Sequence, residues 1–149
     1  MGLDMFLFRS PKMENEIGYW RKANHIHKWF VKNVQGDTDD CGIYPVTKNQ
    51  LRELYELCRK VKKECNLVDG IVNNGYSYAN GIKTRNTKPG KVLENPEIAE
   101  KLLPTQDGFF FGSTDYDEYY MQDIESTIDI IEPLLKKEEQ DTFYYHSSW

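Results

Sequence analysis

The chain has 149 residues, a net charge of −5, and 20 aromatic residues (10 Tyr, 7 Phe, 3 Trp) against a mean hydropathy of −0.72. So many rings argue against disorder, and the short apolar runs supply no stretch of roughly 18 residues for a membrane span. The length suits a single domain, 1–149, and the acidic balance argues against general nucleic-acid binding, which needs a basic face to neutralise phosphates.

Met1 to Phe6 carry Asp4 where a secretory signal would be basic, and no long apolar stretch follows, so a cytoplasmic location is expected. Leu3 to Phe8 alternate as a strand, broken by Ser10-Pro11. Glu16 to Arg21 form a second extended run, placed to pair back as an antiparallel hairpin. Asn24 is the expected N-cap of a helix over 25–35 whose apolar stripe is His27, Phe30, Val31 and Val34, ended by Gly36. Trp29 falls nearly opposite that stripe and is expected on the surface. His25 and His27 point about 200° apart on such a helix and cannot share a metal ion.

Thr47 and Gln50 form a capping box for a helix to about residue 66, with Leu51, Leu54, Cys58, Val61 and Cys65 on its buried stripe. Cys41, Cys58 and Cys65 are too few and too odd in number for a disulfide framework and read as free thiols. From Asp69 to Leu93 the composition turns to Gly, Asn and Pro. A stretch of that length is a lid, a small excursion with its own hairpin, or a disordered insertion, and a long Gly/Asn-rich loop or lid at about 69–93 is the working reading. It carries Lys83, Arg85, Lys88 and Lys91; a second basic cluster, Arg59 to Lys63, lies on the preceding helix.

Asn95-Pro96 cap a short helix from Glu97 to Leu103, stopped by Pro104. Gly108 to Gly112, with Phe109, Phe110 and Phe111 between them, read as a buried strand. Thr114 and the acids after it open a helix with Tyr120, Ile124, Ile128, Ile131 and Leu135 on its stripe and Pro133 ending or kinking it. Phe143 to His146 read as a last strand. The pattern predicts an α+β domain, a small and mostly antiparallel sheet with three to four helices packed on one face.

The opening Met-Gly-Leu-Asp-Met, the run Gly18-Tyr19-Trp20-Arg21-Lys22-Ala23-Asn24 with Ile26-His27-Lys28-Trp29-Phe30, and Leu102-Leu103-Pro104-Thr105 with Gly108 to Glu118 resemble a family of small tailed-phage proteins. The likeness covers roughly 1–66 and 94–149. It implies an accessory protein made in the cytoplasm of an infected bacterium, and it transfers no catalytic residue.

No serine elbow, P-loop or zinc-protease motif is present, and neither Asp39-Asp40 nor Asp115-x-Asp117-Glu118 has the spacing of a known metal site, so no metal or cofactor is expected. The strand-to-helix turn at Gly112-Ser113-Thr114 has the shape that meets anions, yet the acids behind it would repel a phosphate. Hydroxyl or amino groups of a ligand should face those acids, with phosphates nearer Arg21, Lys22 or the basic loop. The expected function is capture, without catalysis, of a small nucleotide-like molecule such as a cyclic ADP-ribose isomer or cyclic dinucleotide, and a homo-oligomer whose interface could hold the pocket is expected. Its expected contacts are Trp20, Arg21, Lys22, Asn24, His27, Phe109, Phe111, Ser113, Thr114, Tyr116 and Tyr119. Two alternatives stand beside it: inhibition of a host protein through Trp29 and the acidic 94–132 segment, and a phosphodiesterase that uses His27 with the acids near 115–118.

Overall fold

A computed structural model describes residues 2–137 and 142–149. Strands β1 (Asp4–Phe8) and β2 (Glu16–Arg21) form the expected antiparallel hairpin and lead into helix α1 (Asn24–Asn33). Strand β3 (Ile43–Val46), helix α2 (Lys48–Glu64), strands β4 (Leu67–Ala79) and β5 (Ile82–Leu93), helices α3 (Glu97–Leu102) and α4 (Glu118–Lys136) and strand β6 (Phe143–Ser148) follow. The fold is α+β with two antiparallel sheets, one of four strands in the order β2-β1-β6-β3 and one made of β4 and β5.

Strand alternation sorts the four-stranded sheet into two faces. Met5 and Leu7 of β1, Trp20 of β2, and Phe143 and Tyr145 of β6 point into one continuous core. Helix α1 meets this face where Phe30 stacks on Tyr145 with centroids 3.9 Å apart. Helix α4 meets it where the Trp20 indole Nε1 donates to Thr127 Oγ1 at 2.9 Å. The same helix sets Ile130 2.7 Å from the point where a Cβ on Gly18 would stand, so a larger residue at 18 would push the helix off the sheet. Helix α2 lies along α4, tied by Tyr55 Oη donating to Glu132 Oε1 at 2.8 Å, and its capping box is formed in both directions, Gln50 N to Thr47 Oγ1 at 3.1 Å and Thr47 N to Gln50 Oε1 at 2.9 Å.

Several expectations are corrected. Helix α1 is capped from Ala23 with no side-chain bond, because the Asn24 side chain is used elsewhere. Trp29 is buried at 7% exposure. Its ring stands edge-on to Phe30 and lines a groove with Leu57 and Ile128, so α1 is enclosed on more sides than its stripe suggested. Residues 108–112 form a turn rather than a strand, held by Leu3 N donating to the Phe110 carbonyl at 2.9 Å, in which Phe109 is 95% exposed and Phe111 is buried. Helix α4 begins at Glu118, capped by the Asp117 carboxylate, and Pro133 lies inside it.

The segment read as a loop or lid at 69–93 is the long hairpin of β4 and β5, turning at Asn80-Gly81. An isolated two-stranded hairpin is marginal in water, so its base must be held. Leu93 N donates to the Tyr116 carbonyl at 3.0 Å, Glu94 N to the Asn66 carbonyl at 2.8 Å and Lys91 N to Glu118 Oε1 at 3.2 Å, while Val92 bridges to Asp117. The clamp fixes the hairpin beside the start of α4.

Candidate functional site

The turn joining β2 to α1 is tight. Lys22 takes a positive φ of 53°, in the left-handed region that a non-glycine residue adopts only when its surroundings hold it there. Lys22 N donates to the Leu3 carbonyl at 2.8 Å and its own carbonyl accepts from Asn24 N at 2.9 Å, which is what holds it. Opposite this turn Gly112, at φ 82°, packs against the Lys22 side chain. Buried Asn24 fastens the two segments: its Nδ2 donates to the carbonyls of Phe111 at 2.9 Å and Ser113 at 2.8 Å, and its Oδ1 accepts from Gln106 N at 2.8 Å.

Between these segments, the first half of α4 and the bend of the hairpin lies a cleft of about 380 Å³. That is at the small end of the roughly 300–1,000 Å³ of small-molecule sites. Arg21, Lys22, Asn24, Ser113 and Tyr119 line it, together with Asp115, Asp117 and Asp123, His25 and Tyr120, Thr105, and Asn73 and Gly75 of the hairpin.

Its electrostatics are mixed. Lys22 has no ion-pair partner among the described residues, while Arg21 Nη1 bonds Asp4 Oδ1 at 2.8 Å. Arg85 of β5 pairs with Asp115 at 2.5 Å, tying the hairpin over one side. Asp117 accepts from Tyr119 N and Tyr120 N at 3.0 and 3.1 Å as the cap of α4; burial nonetheless raises its carboxyl above the ordinary value. Burial, with the Asp117 charge adding to it, pushes Asp123 up to about 7. His25 is buried, its Nε2 has no hydrogen-bond partner among the described residues, and desolvation lowers its imidazole to about 3, so it is neutral at pH 7.

Of the residues expected at the site, Arg21, Lys22, Asn24, Ser113 and Tyr119 are brought together. The others stand apart from the cleft. Trp20 is in the core. His27 is buried between Tyr145 Oη at 2.6 Å and Asp39 Oδ2 at 2.9 Å. Phe111 stands edge-on to His27, and Phe109 projects into solvent. Thr114 gives its carbonyl to Thr105 Oγ1 at 2.9 Å, and Tyr116 accepts Thr105 N through its hydroxyl at 3.1 Å. Sequence reading missed His25, Asp123 and Asn73. Asp123 had a legible signal, an acid one position before the apolar Ile124 on the core stripe. Among the described residues no group of three or more His, Cys, Asp or Glu side chains is placed to hold a metal, and no helix is long and apolar enough to cross a membrane. Comparison with protein-family models, with curated proteins and with solved structures finds no match for this chain.

Proposed function

We propose that the protein captures a small nucleotide-like molecule in this cleft. One observation carries the reading: a single cavity sets the ammonium of Lys22 and the guanidinium of Arg21 against Asp115, Asp117 and Asp123, and, among the described residues, Lys22 has no ion-pair partner and the Nε2 of His25 on its wall no hydrogen-bond partner. A matching ligand bears an anionic group at one end and hydroxyl or amino donors at the other, and nucleotides have that chemistry. Tyr119, 43% exposed on the wall, offers a ring for a base. In the infected bacterial cytoplasm that the resemblance implies, the ligand class is a host immune signal such as a cyclic ADP-ribose isomer or a cyclic dinucleotide.

Incubation of the purified protein with these nucleotides, followed by washing, heating and mass spectrometry of the released material, tests the reading. Recovery of one intact nucleotide, reduced in Lys22→Glu, is the expected result. Absence of any bound nucleotide, together with an unchanged melting temperature, refutes it.

A second reading, an enzyme, is favoured by Asp123: a carboxyl that titrates near 7 is poised to give or take a proton at neutral pH. It differs from the phosphodiesterase expected through His27, which is bound to Tyr145 and Asp39 and does not line the cleft. The same mass spectrum separates the two, because an enzyme returns a changed nucleotide. Inhibition of a host protein through Trp29 loses its support, since that ring is buried.

A further inference from the structure

The outer part of the hairpin has a composition unlike the rest of the molecule. Strands β4 and β5 with their turn hold four cations, Lys83, Arg85, Lys88 and Lys91, and one acid, Asp69, for +3, which leaves −8 on the remainder of the chain. The overall acidity that argued against nucleic-acid binding is therefore an average over two oppositely charged parts.

Register decides which side chains share a face. Tyr76 pairs with Arg85 and Tyr78 with Lys83, so these four lie on one face, while Ser77, Ala79, Ile82 and Thr84 lie on the other. Tyr78 is 74% exposed and Tyr76 49% exposed, and the Lys83 ammonium stands 4.1 Å from the centre of the Tyr76 ring. The ring of Tyr78 has no partner among the described residues. Two exposed rings beside the Lys83 ammonium provide a stacking platform next to a phosphate partner, the combination used to hold single strands without reading their sequence.

We infer that the Tyr76, Tyr78 and Lys83 face of the hairpin binds single-stranded nucleic acid, with bases on the tyrosines and phosphates at the Lys83 ammonium; Arg85, on the same face, is already paired with Asp115 at 2.5 Å. Paired bases cannot splay onto the rings, so a duplex is the poorer ligand. Tyr76, Tyr78 and Lys83 do not line the cleft, although Arg85 beside them is paired with the cleft residue Asp115, and the inference does not depend on the nucleotide reading.

Fluorescence anisotropy with a labelled oligothymidylate of about 12 nucleotides tests it on the whole protein, with thermal melts to verify that each variant folds; the substituted side chains are exposed. Binding is expected to weaken steeply with salt, the logarithmic slope falling by about 0.7 for each phosphate contact removed, as in Lys83→Glu. Tyr78→Ala should weaken binding roughly 5- to 150-fold, the range for one lost base stack. Lys22→Glu in the cleft should leave it unchanged, and Tyr76→Ala/Tyr78→Ala should leave nucleotide capture unchanged. The proposal is overturned if the oligonucleotide does not bind at low salt, if the tyrosine variants bind as well as the parent, or if polyglutamate of equal charge competes equally. It is also overturned if the strip instead drives concentration-dependent self-association that Lys83→Glu abolishes without any oligonucleotide binding.

Discussion

The imidazole of His25 lies on the phenol ring of Tyr120, with centroids 4.1 Å apart and planes 27° from parallel. The stack closes the floor of the cleft, since both residues line it, and Tyr120 is itself anchored by its hydroxyl donating to the Leu103 carbonyl at 2.8 Å. A charged imidazole there would have to be desolvated without a counter-ion in hydrogen-bond contact. The cleft therefore presents a neutral ring at physiological pH.

His25 should remain neutral down to about pH 3, read from imidazole nitrogen shifts. A midpoint near the ordinary value of about 6.5 contradicts the burial argument. The sign for stability follows: below about 6.5 the unfolded chain takes up a proton that the native ring refuses, so stability is lost as pH falls from there toward 3.

Asp123 works in the opposite sense. With its folded value near 7, the native state keeps a proton that the unfolded chain has released above about 4, so stability falls as pH rises from 4 to 7. Asp123→Asn removes this term. Relative to the parent, the variant should gain melting temperature progressively over that window, and it should expose the acid sensitivity due to His25 and to His27, which burial lowers despite Asp39. A constant difference between the two proteins from pH 4 to 8 would refute the assignment.

Asn24→Ala removes three hydrogen bonds that hold residues 106, 111 and 113 to α1. At about 0.5–1.5 kcal/mol for each, urea denaturation should show a loss of roughly 1.5–4.5 kcal/mol. Asn24→Asp should be no better, because a carboxylate cannot donate to the Phe111 and Ser113 carbonyls.

Phe30→Ala should cost roughly 3–5 kcal/mol, since it empties a fully buried site against Tyr145. Phe30→Leu should recover most of that loss by keeping the apolar volume. The remaining deficit, measured in a double-mutant cycle with Tyr145→Leu, should fall at about 0.5–1.5 kcal/mol, the worth of the ring pair.

Gly90→Ala places a Cβ 2.6 Å from Glu118 Oε1 and 2.7 Å from Val72 Cγ2. Overpacking of this kind costs roughly 1–3 kcal/mol. Here it should act locally, prying the hairpin base from α4. Hydrogen exchange should quicken at Lys91 and Leu93 while the amides of β6 keep their protection.

Much of this fold was legible in the sequence. The Thr47 and Gln50 box located α2, the alternation of Leu3 to Phe8 located β1, and the extended runs at Glu16 to Arg21 and Phe143 to His146 located β2 and β6, because each signal is local. Strand β3 escaped: four residues including Pro45 carry little pattern, and its register is set by pairing with β6 about a hundred positions away. The hairpin of β4 and β5 escaped because Gly70, Gly75, Gly90 and several asparagines look like loop, and an irregularity between Asn73 and Tyr76 shifts the alternation midway. Phe109 to Phe111 look like a strand by composition but form a turn with a single backbone bond to Leu3. At the candidate cleft, Arg21, Lys22 and Ser113, expected from charge and turn chemistry, line one cavity. His25 was not expected there, since its importance comes from burial against Tyr120, which no sequence spacing displays, and Asp123 was passed over although its place beside Ile124 on the core stripe could have flagged it.

Strand β6 sits between β1 and β3, so the four-stranded sheet joins only when a segment about a hundred positions downstream of β3, and farther still from β1, inserts between them. Until then the hairpin of β1 and β2 leaves the β1 edge open as well as that of β2, and β3 has no strand neighbour among the described residues. Contacts of such long reach are slow to form, so completion of this sheet should limit the folding rate. A chain stalled or cleaved ahead of Phe143 would leave unpaired the two strand edges that β6 covers, with Met5, Leu7 and Phe30 exposed. That state invites pairing with other chains and recognition by chaperones or proteases.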